Sequence, residues 1–232
     1  MSRQIPLDLR WPSHQRLDAF WPGASKTALQ AVLDVAKGGD AWLYLRGASG
    51  TGKSHLLIGA CRVALESGRA ARYVSFASAP GQPSRLLAGI DADGLIAIDD
   101  VQAVAGDDQA ERTLFDLYNR ARAAHARMLF AADAAPAKLG LRLADLVSRL
   151  AMCSQYALRP LDDAGRRAML RLLAGRLGLR LDDEVLDWWF ARQPREPAAM
   201  VALLQRIDRA SLASQRRITI PFLRELLGAP GT

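Results

Sequence analysis

Eight residues, Gly47-Ala48-Ser49-Gly50-Thr51-Gly52-Lys53-Ser54, fit the spacing G-x-x-x-x-G-K-[ST]. Glycines so placed let the backbone fold tightly enough to turn its N–H groups toward phosphate oxygens, and a helix that follows adds the positive end of its dipole. The lysine of such a loop reaches the β and γ phosphates, and the hydroxyl after it can hold Mg²⁺. Gly47, Gly50, Thr51, Gly52, Lys53 and Ser54 are therefore expected to bind a nucleotide, ADP or ATP, together with Mg²⁺. Further along, the apolar run Leu95-Ile96-Ala97-Ile98 ends in Asp99 and Asp100. Acids at the C-terminal edge of a parallel sheet stand where open α/β sheets bind their ligands. Asp99 is expected to hold Mg²⁺ through water, in company with Ser54, and Asp100 to orient an attacking water. Two acids after an apolar strand are by themselves an ordinary turn, and it is the upstream glycine loop that gives them chemical meaning.

The elements needed to position these groups follow from periodicity. Ser25 offers an N-cap to a helix over 26–37, where Leu29, Val32, Leu33 and Ala36 recur at helical spacing and Gly38-Gly39 closes it. A short apolar run over 41–45 precedes the glycine loop, and the helical pattern resumes over 53–65. Strand-like runs over 72–76, 95–98 and 127–132 and a helix over 109–125 continue the alternation. Alternating strand and helix predict an α/β domain, a parallel sheet flanked by helices on both faces. Beyond Pro160 the strand signal nearly vanishes, leaving helices over 162–177, 182–192 and 198–211, a short run over 218–220 and a last helix begun by Pro221. The expected division is an extended tail over 1–12, the α/β domain over 13–159 and a small helical domain over 160–232.

Composition narrows the classes. Half of the residues are apolar, enough for a real core, and disorder is not expected. There is no run of about 18 apolar residues, and Met1 to Pro6 has no apolar segment of signal-peptide length, so a soluble cytoplasmic protein with no membrane partner is expected. Cys61 and Cys153 lie in apolar stretches without a second Cys or a His at metal-ligand spacing, and read as reduced core residues. The net charge of +7 is spread along the chain, with four lysines (Lys26, Lys37, Lys53, Lys138) and otherwise arginines in an Ala- and Leu-rich background. Direct DNA contact by such a diffuse surface is expected to be weak.

At this point the chain resembles a known family. Asp99-Asp100-Val101-Gln102 with Ala105-Gly106, then Phe115-Asp116-Leu117-Tyr118-Asn119, and near the end Asp208-Arg209-Ala210-Ser211, Gln215-Arg216-Arg217 and Thr219-Ile220-Pro221-Phe222 resemble the DnaA/Hda family of AAA+ proteins. The likeness runs from Phe20-Trp21-Pro22-Gly23 to Leu227 and implies an AAA+ base with a helical lid. It places Asp133 in the segment that senses nucleotide after the fourth strand, although Ala131 and Ala132 stand where family members carry small polar residues. It also places Arg149, within Asp145-Leu146-Val147-Ser148-Arg149-Leu150, at the arginine finger that acts in trans. Where the lid helix of the family carries its own sensor arginine, this chain has Ala198 after Pro197, with Arg195 a turn or less away as an alternative. That departure implies slow hydrolysis in cis.

Gln4-Ile5-Pro6-Leu7-Asp8-Leu9 resembles the short peptides that dock into the DNA polymerase sliding clamp, with Gln4, Ile5, Leu7 and Leu9 as the binding residues. The resemblance as a whole implies a nucleotide-binding regulator of replication initiation that binds the clamp on DNA and stimulates hydrolysis of ATP bound to DnaA. The alternative is an autonomous ATPase acting as initiator or helicase loader. Against the initiator stands the short chain after Leu227, too short for a helix-turn-helix domain. Self-association stays open.

Overall fold

The computed structural model describes residues 15–78 and 81–228. Gln4, Ile5, Leu7 and Leu9 lie outside the described residues. Five parallel strands, β1 (Leu43–Arg46), β2 (Ala71–Ser75), β3 (Leu95–Asp99), β4 (Arg127–Ala132) and β5 (Ser154–Ala157), form one sheet in the order β2-β3-β4-β1-β5. Ahead of β1 runs α1 (Lys26–Ala36), and between the strands run α2 (Lys53–Glu66), α3 (Pro83–Ala88), α4 (Asp108–Ala123) and α5 (Ala144–Ala151).

Side chains alternate across each strand, and the two faces are both apolar. Tyr44, Ile96, Ile98, Met128 and Phe130 point to one side, against Leu114 and Leu117 of α4 and Leu146 and Leu150 of α5. Leu43, Leu45, Leu95, Ala97, Leu129 and Ala131 point to the other, against Val32 and Val35 of α1 and Leu56, Leu57 and Ala60 of α2. Burial on both faces is why the central strands read as continuous apolar runs rather than alternating ones. The three-layer α/β fold expected from the pattern is therefore present.

Some elements differ from expectation. The run 41–45 pairs only from Leu43, and the strand expected over 72–76 is Ala71–Ser75, with Phe76 opening a short 3-10 turn. Ser25 stands before α1, but its side chain makes no capping hydrogen bond. The unexpected β5 is polar and mostly exposed, and it exists because Ser154 to Ala157 pair in register with Leu43 to Arg46 of β1.

The C-terminal helices α6 (Asp163–Arg176), α7 (Asp183–Arg192), α8 (Pro197–Ser214) and α9 (Ile220–Leu227) enclose a third core of Leu170, Leu186, Trp189, Met200, Leu204, Ile207 and Leu223. The run 218–220 is no strand: Ile218 fills this core, and Thr219 caps α9 by accepting from Phe222 N at 3.3 Å. A short turn, Leu17–Ala19, joins the two bodies, with Leu17 in the core of α1 and α2 and Ala19 in the helical core. Arg176 of α6 pairs with Asp18 of the same turn at 3.2 Å. Among the described residues no helix is long and apolar enough to cross a membrane.

Candidate nucleotide-binding site

The glycine loop leaves the C-terminal end of β1 and is tied at its root to both neighbouring strands. Gly47 N donates to Ala132 O at 3.2 Å, and Leu158 N donates to Arg46 O at 2.7 Å. A Cβ on Gly47 would come within 2.7 Å of Leu158 O, so only glycine fits there. Gly52 has φ +91°, a left-handed conformation that costs other residues about 1–2 kcal/mol, and a Cβ there would meet Phe20 Cε2 at 2.6 Å. Thr51 Oγ1 donates to Ala48 O at 2.8 Å and closes the loop on itself. Lys53 Nζ donates to Gly47 O at 2.6 Å and Ala48 O at 3.0 Å, which holds its ammonium across the mouth of the loop. Directly after it α2 begins, so the loop opens onto the positive end of a 14-residue helix.

Beneath the loop stands Asp99, the last residue of β3 and only 1% exposed. Tyr73 Oη donates to its Oδ2 at 2.8 Å, Asp100 N donates to its Oδ1 at 2.9 Å, and the Ser54 hydroxyl is a further hydrogen-bond partner. Burial pushes this carboxyl above the usual carboxylate range, against the opposing pull of Ser54 and Tyr73. Asp100 adopts φ +60°, a left-handed conformation uncommon outside glycine. Its carboxylate is pinned from both sides, by Ser75 Oγ at 3.0 Å and Gln102 Nε2 at 3.3 Å.

The loop from Ser49 to Ser54 and Asp100 border one cavity of about 630 Å³, within the usual range for small-ligand sites, while Gly47 and Asp99 stand behind its lining. Gly50, Thr51, Gly52, Lys53, Ser54, Asp100 and Asp133 all line it. Asp133 is exposed just past β4, and Tyr44 Oη fixes the backbone next to it by donating to Ala134 O at 2.9 Å. The donor set fits a nucleotide with Mg²⁺. The loop's backbone, Lys53 and the start of α2 would hold phosphates, while Ser54 and Asp99 would hold the cation. That cation would offset the cost of ionising the buried Asp99 and neutralise phosphate charge.

On the lid side the cavity is bordered by Ala198 and not by Arg195. Ala198 lines it from the first turn of α8, together with Val201, Ala202 and Gln205. Arg195 does not line it. Its Nε and Nη2 donate to Phe190 O at 3.2 and 3.0 Å, and its Nη1 to Asp163 Oδ2 at 2.7 Å, which commits the guanidinium to the lid's own structure. Arg159, which sequence reasoning passed over, does border the cavity.

Arg149 lies elsewhere. It sits in the second half of α5, which leads into the first residue of β5, and β5 and β1 start together through the pairing of Ser154 with Leu43. The glycine loop leaves the other end of β1, so Arg149 and the cavity are at opposite edges of the sheet. The guanidinium is half-buried and makes no hydrogen bond or ion pair among the described residues. What orients α5 is Glu111, a fully buried acid on α4. It accepts from Gly106 N at 2.9 Å, Arg142 N at 2.8 Å and Leu143 N at 2.7 Å, fixing the segment that enters α5. Its signal in the sequence was a lone acid on the apolar face of α4, between Ala110 and Leu114.

Residues 163–227 match a family model described as the Hda lid domain. Domain III of the replication initiation protein DnaA from Thermotoga maritima superposes with a TM-score of 0.72 at 22% identity, covering 94% of this chain and 97% of that one. AMPPCP-bound DnaA from Aquifex aeolicus gives a TM-score of 0.67 at 24% identity, over 84% of this chain and 66% of that one. The Holliday junction branch migration motor RuvB of Thermotoga maritima gives 0.61 at 16% identity, over 88% and 67%. At these identities the solved structures establish the AAA+ fold, and the model match establishes the type of lid.

Proposed function

We propose, from the premise that the chain belongs to the DnaA/Hda family of AAA+ proteins, that it is a nucleotide-bound regulator of replication initiation that presents Arg149 to ATP held by DnaA. The observation that carries the reading is the place of Arg149, at the opposite edge of the sheet from the chain's own cavity and with no side-chain hydrogen bond or ion pair among the described residues. A guanidinium there reaches no phosphate of its own nucleotide, so any phosphate it meets belongs to another protein. Its planar fork suits charge developing on a γ-phosphate, and a finger supplied in trans raises phosphoryl-transfer rates by about 10³ to 10⁵. Faster conversion of ATP-bound to ADP-bound DnaA would limit re-initiation.

In this reading the chain's own nucleotide is a clasp between base (13–159) and lid (160–232) rather than a fuel. Lys53 and the loop hold its phosphates, Ser54 and Asp99 its Mg²⁺, and Asp133 stands beside the phosphate end. The pocket-facing side of α8 carries Ala198 where an arginine would meet the γ-phosphate, which supports slow turnover in cis and ADP bound at least as well as ATP. Asp100 would orient water for whatever hydrolysis occurs. The tail over 1–12, with Gln4, Ile5, Leu7 and Leu9, would dock into the sliding clamp as an extended peptide, so that DNA is reached through the clamp in the cytoplasm.

The test is hydrolysis of ATP bound to purified DnaA, with and without this chain, clamp and DNA. Acceleration that needs all three supports the regulator. No acceleration, together with brisk intrinsic ATP turnover, would instead favour an autonomous ATPase, initiator or helicase loader.

A further inference from the structure

We propose that Arg159, on the connector between base and lid, binds the phosphate chain of the nucleotide and supplies the cation that the lid helix lacks. The inference rests on the reading of the cavity as a nucleotide site. Three observations lead to it. First, the connector is built against the phosphate loop: Leu158 N is bonded to Arg46 O at 2.7 Å, and Leu158 O lies 2.7 Å from where a Cβ of Gly47 would be. The next residue, Arg159, is exposed and borders the cavity. Second, its guanidinium is not committed elsewhere, since no ion pair or hydrogen bond engages it among the described residues, whereas Arg195 is held by Phe190 O and Asp163. Third, the described residues of the opposite wall include no cation. The first turn of α8 packs close to the loop, with Pro197 Cδ 3.6 Å from where a Cβ of Gly50 would be, and the residues that follow on the cavity side are Ala198, Val201, Ala202 and Gln205.

The triphosphate of ATP carries more negative charge than Lys53 and one Mg²⁺ balance, and an arginine fork matches the phosphate oxygens of ADP as well as of ATP. A cation on the connector also has a consequence that one on α8 would not. It engages the nucleotide from the segment about which the lid must turn, so the lid is fixed at its root.

Isothermal titration of the full chain with ADP and with a non-hydrolysable ATP analogue tests this, for the parent and for Arg159→Ala. One charge-assisted hydrogen bond at a partly exposed site predicts about a tenfold loss of affinity for both ligands. Adenosine, which has no phosphate, should bind parent and variant alike in a displacement assay, and unfolding without ligand should be unchanged. Undiminished ADP and analogue affinity in Arg159→Ala overturns the proposal, as does an equal loss for adenosine, which would mean that Arg159 only shapes the cavity. A parent that binds no ADP would remove the nucleotide reading itself, and this inference with it.

Discussion

Replacing Glu111 with Ala should destabilise the protein while leaving the nucleotide cavity's own groups untouched. The carboxylate is fully buried and serves three backbone N–H groups, of Gly106, Arg142 and Leu143. Each buried donor left without an acceptor costs about 1–3 kcal/mol. Arg142 is exposed and Leu143 half-exposed, so water takes up part of that loss, and the sum comes to ~2–4 kcal/mol. Against a typical total of about 5–15 kcal/mol this is a large fraction, and it corresponds to a fall in melting temperature of roughly 5–15 °C for a chain of this size. Glu111→Gln should cost about half as much, because one amide oxygen still accepts while the NH₂ group faces donors. Urea unfolding of parent and both variants gives the numbers. Because Glu111 holds the entry to α5, the surviving folded protein should also lose stimulation of DnaA-bound ATP hydrolysis while binding ADP normally. A Glu111→Ala variant within about 1 kcal/mol of the parent would refute this reasoning.

Arg149→Ala should bind nucleotide and clamp as the parent does yet fail to stimulate hydrolysis on DnaA, and Arg149→Lys should fail as well, because a point charge does not reproduce the fork. Undiminished stimulation by either would sink the finger assignment. Replacing Gln4, Leu7 and Leu9 together with Ala should abolish capture by immobilised clamp without changing the melting temperature, and retention of binding would dismiss the tail as the docking segment. Asp99, held above the usual carboxylate range by burial, keeps its proton longer in the folded than in the unfolded chain. That advantage is lost as pH rises from the unfolded value through the folded one, so ionising this carboxylate opposes folding. Asp99→Asn should therefore be at least as stable as the parent at pH 7 in the absence of Mg²⁺, while Mg²⁺-dependent nucleotide binding falls. A melting temperature several degrees below the parent's would contradict it.

Much of the candidate nucleotide site was legible because its determinants are local. The glycine loop, the apolar strand delivering Asp99 and the helix after Lys53 are each specified within a few residues, by backbone conformation and periodicity. What was not legible depends on distant partners. Ser154 to Ala157 alternate no apolar pattern and become β5 only by pairing with β1. The choice between Arg195 and Ala198 turned on Phe190 O and Asp163, five and 32 residues from Arg195. Glu111, an acid among the apolar residues of α4, gains its partners only when the chain at Arg142 and Leu143 returns to it, and Arg159 carried no motif at all. The positions of Arg149 and of the cavity at opposite sheet edges likewise needed the strand order, which no single segment encodes.

The turn at Leu17–Ala19 works mechanically as a rivet. Two residues apart, it drives one side chain into the core of the base and one into the core of the lid, and Arg176 grips the backbone between them through Asp18. Two bodies riveted at one point resist sliding more than turning, so a rotation of the lid would cost less than a translation. Whatever grips the chain just ahead of this turn would load both bodies at once. A tug on the leading strand of the polypeptide would then be felt as torque on the lid rather than as slack.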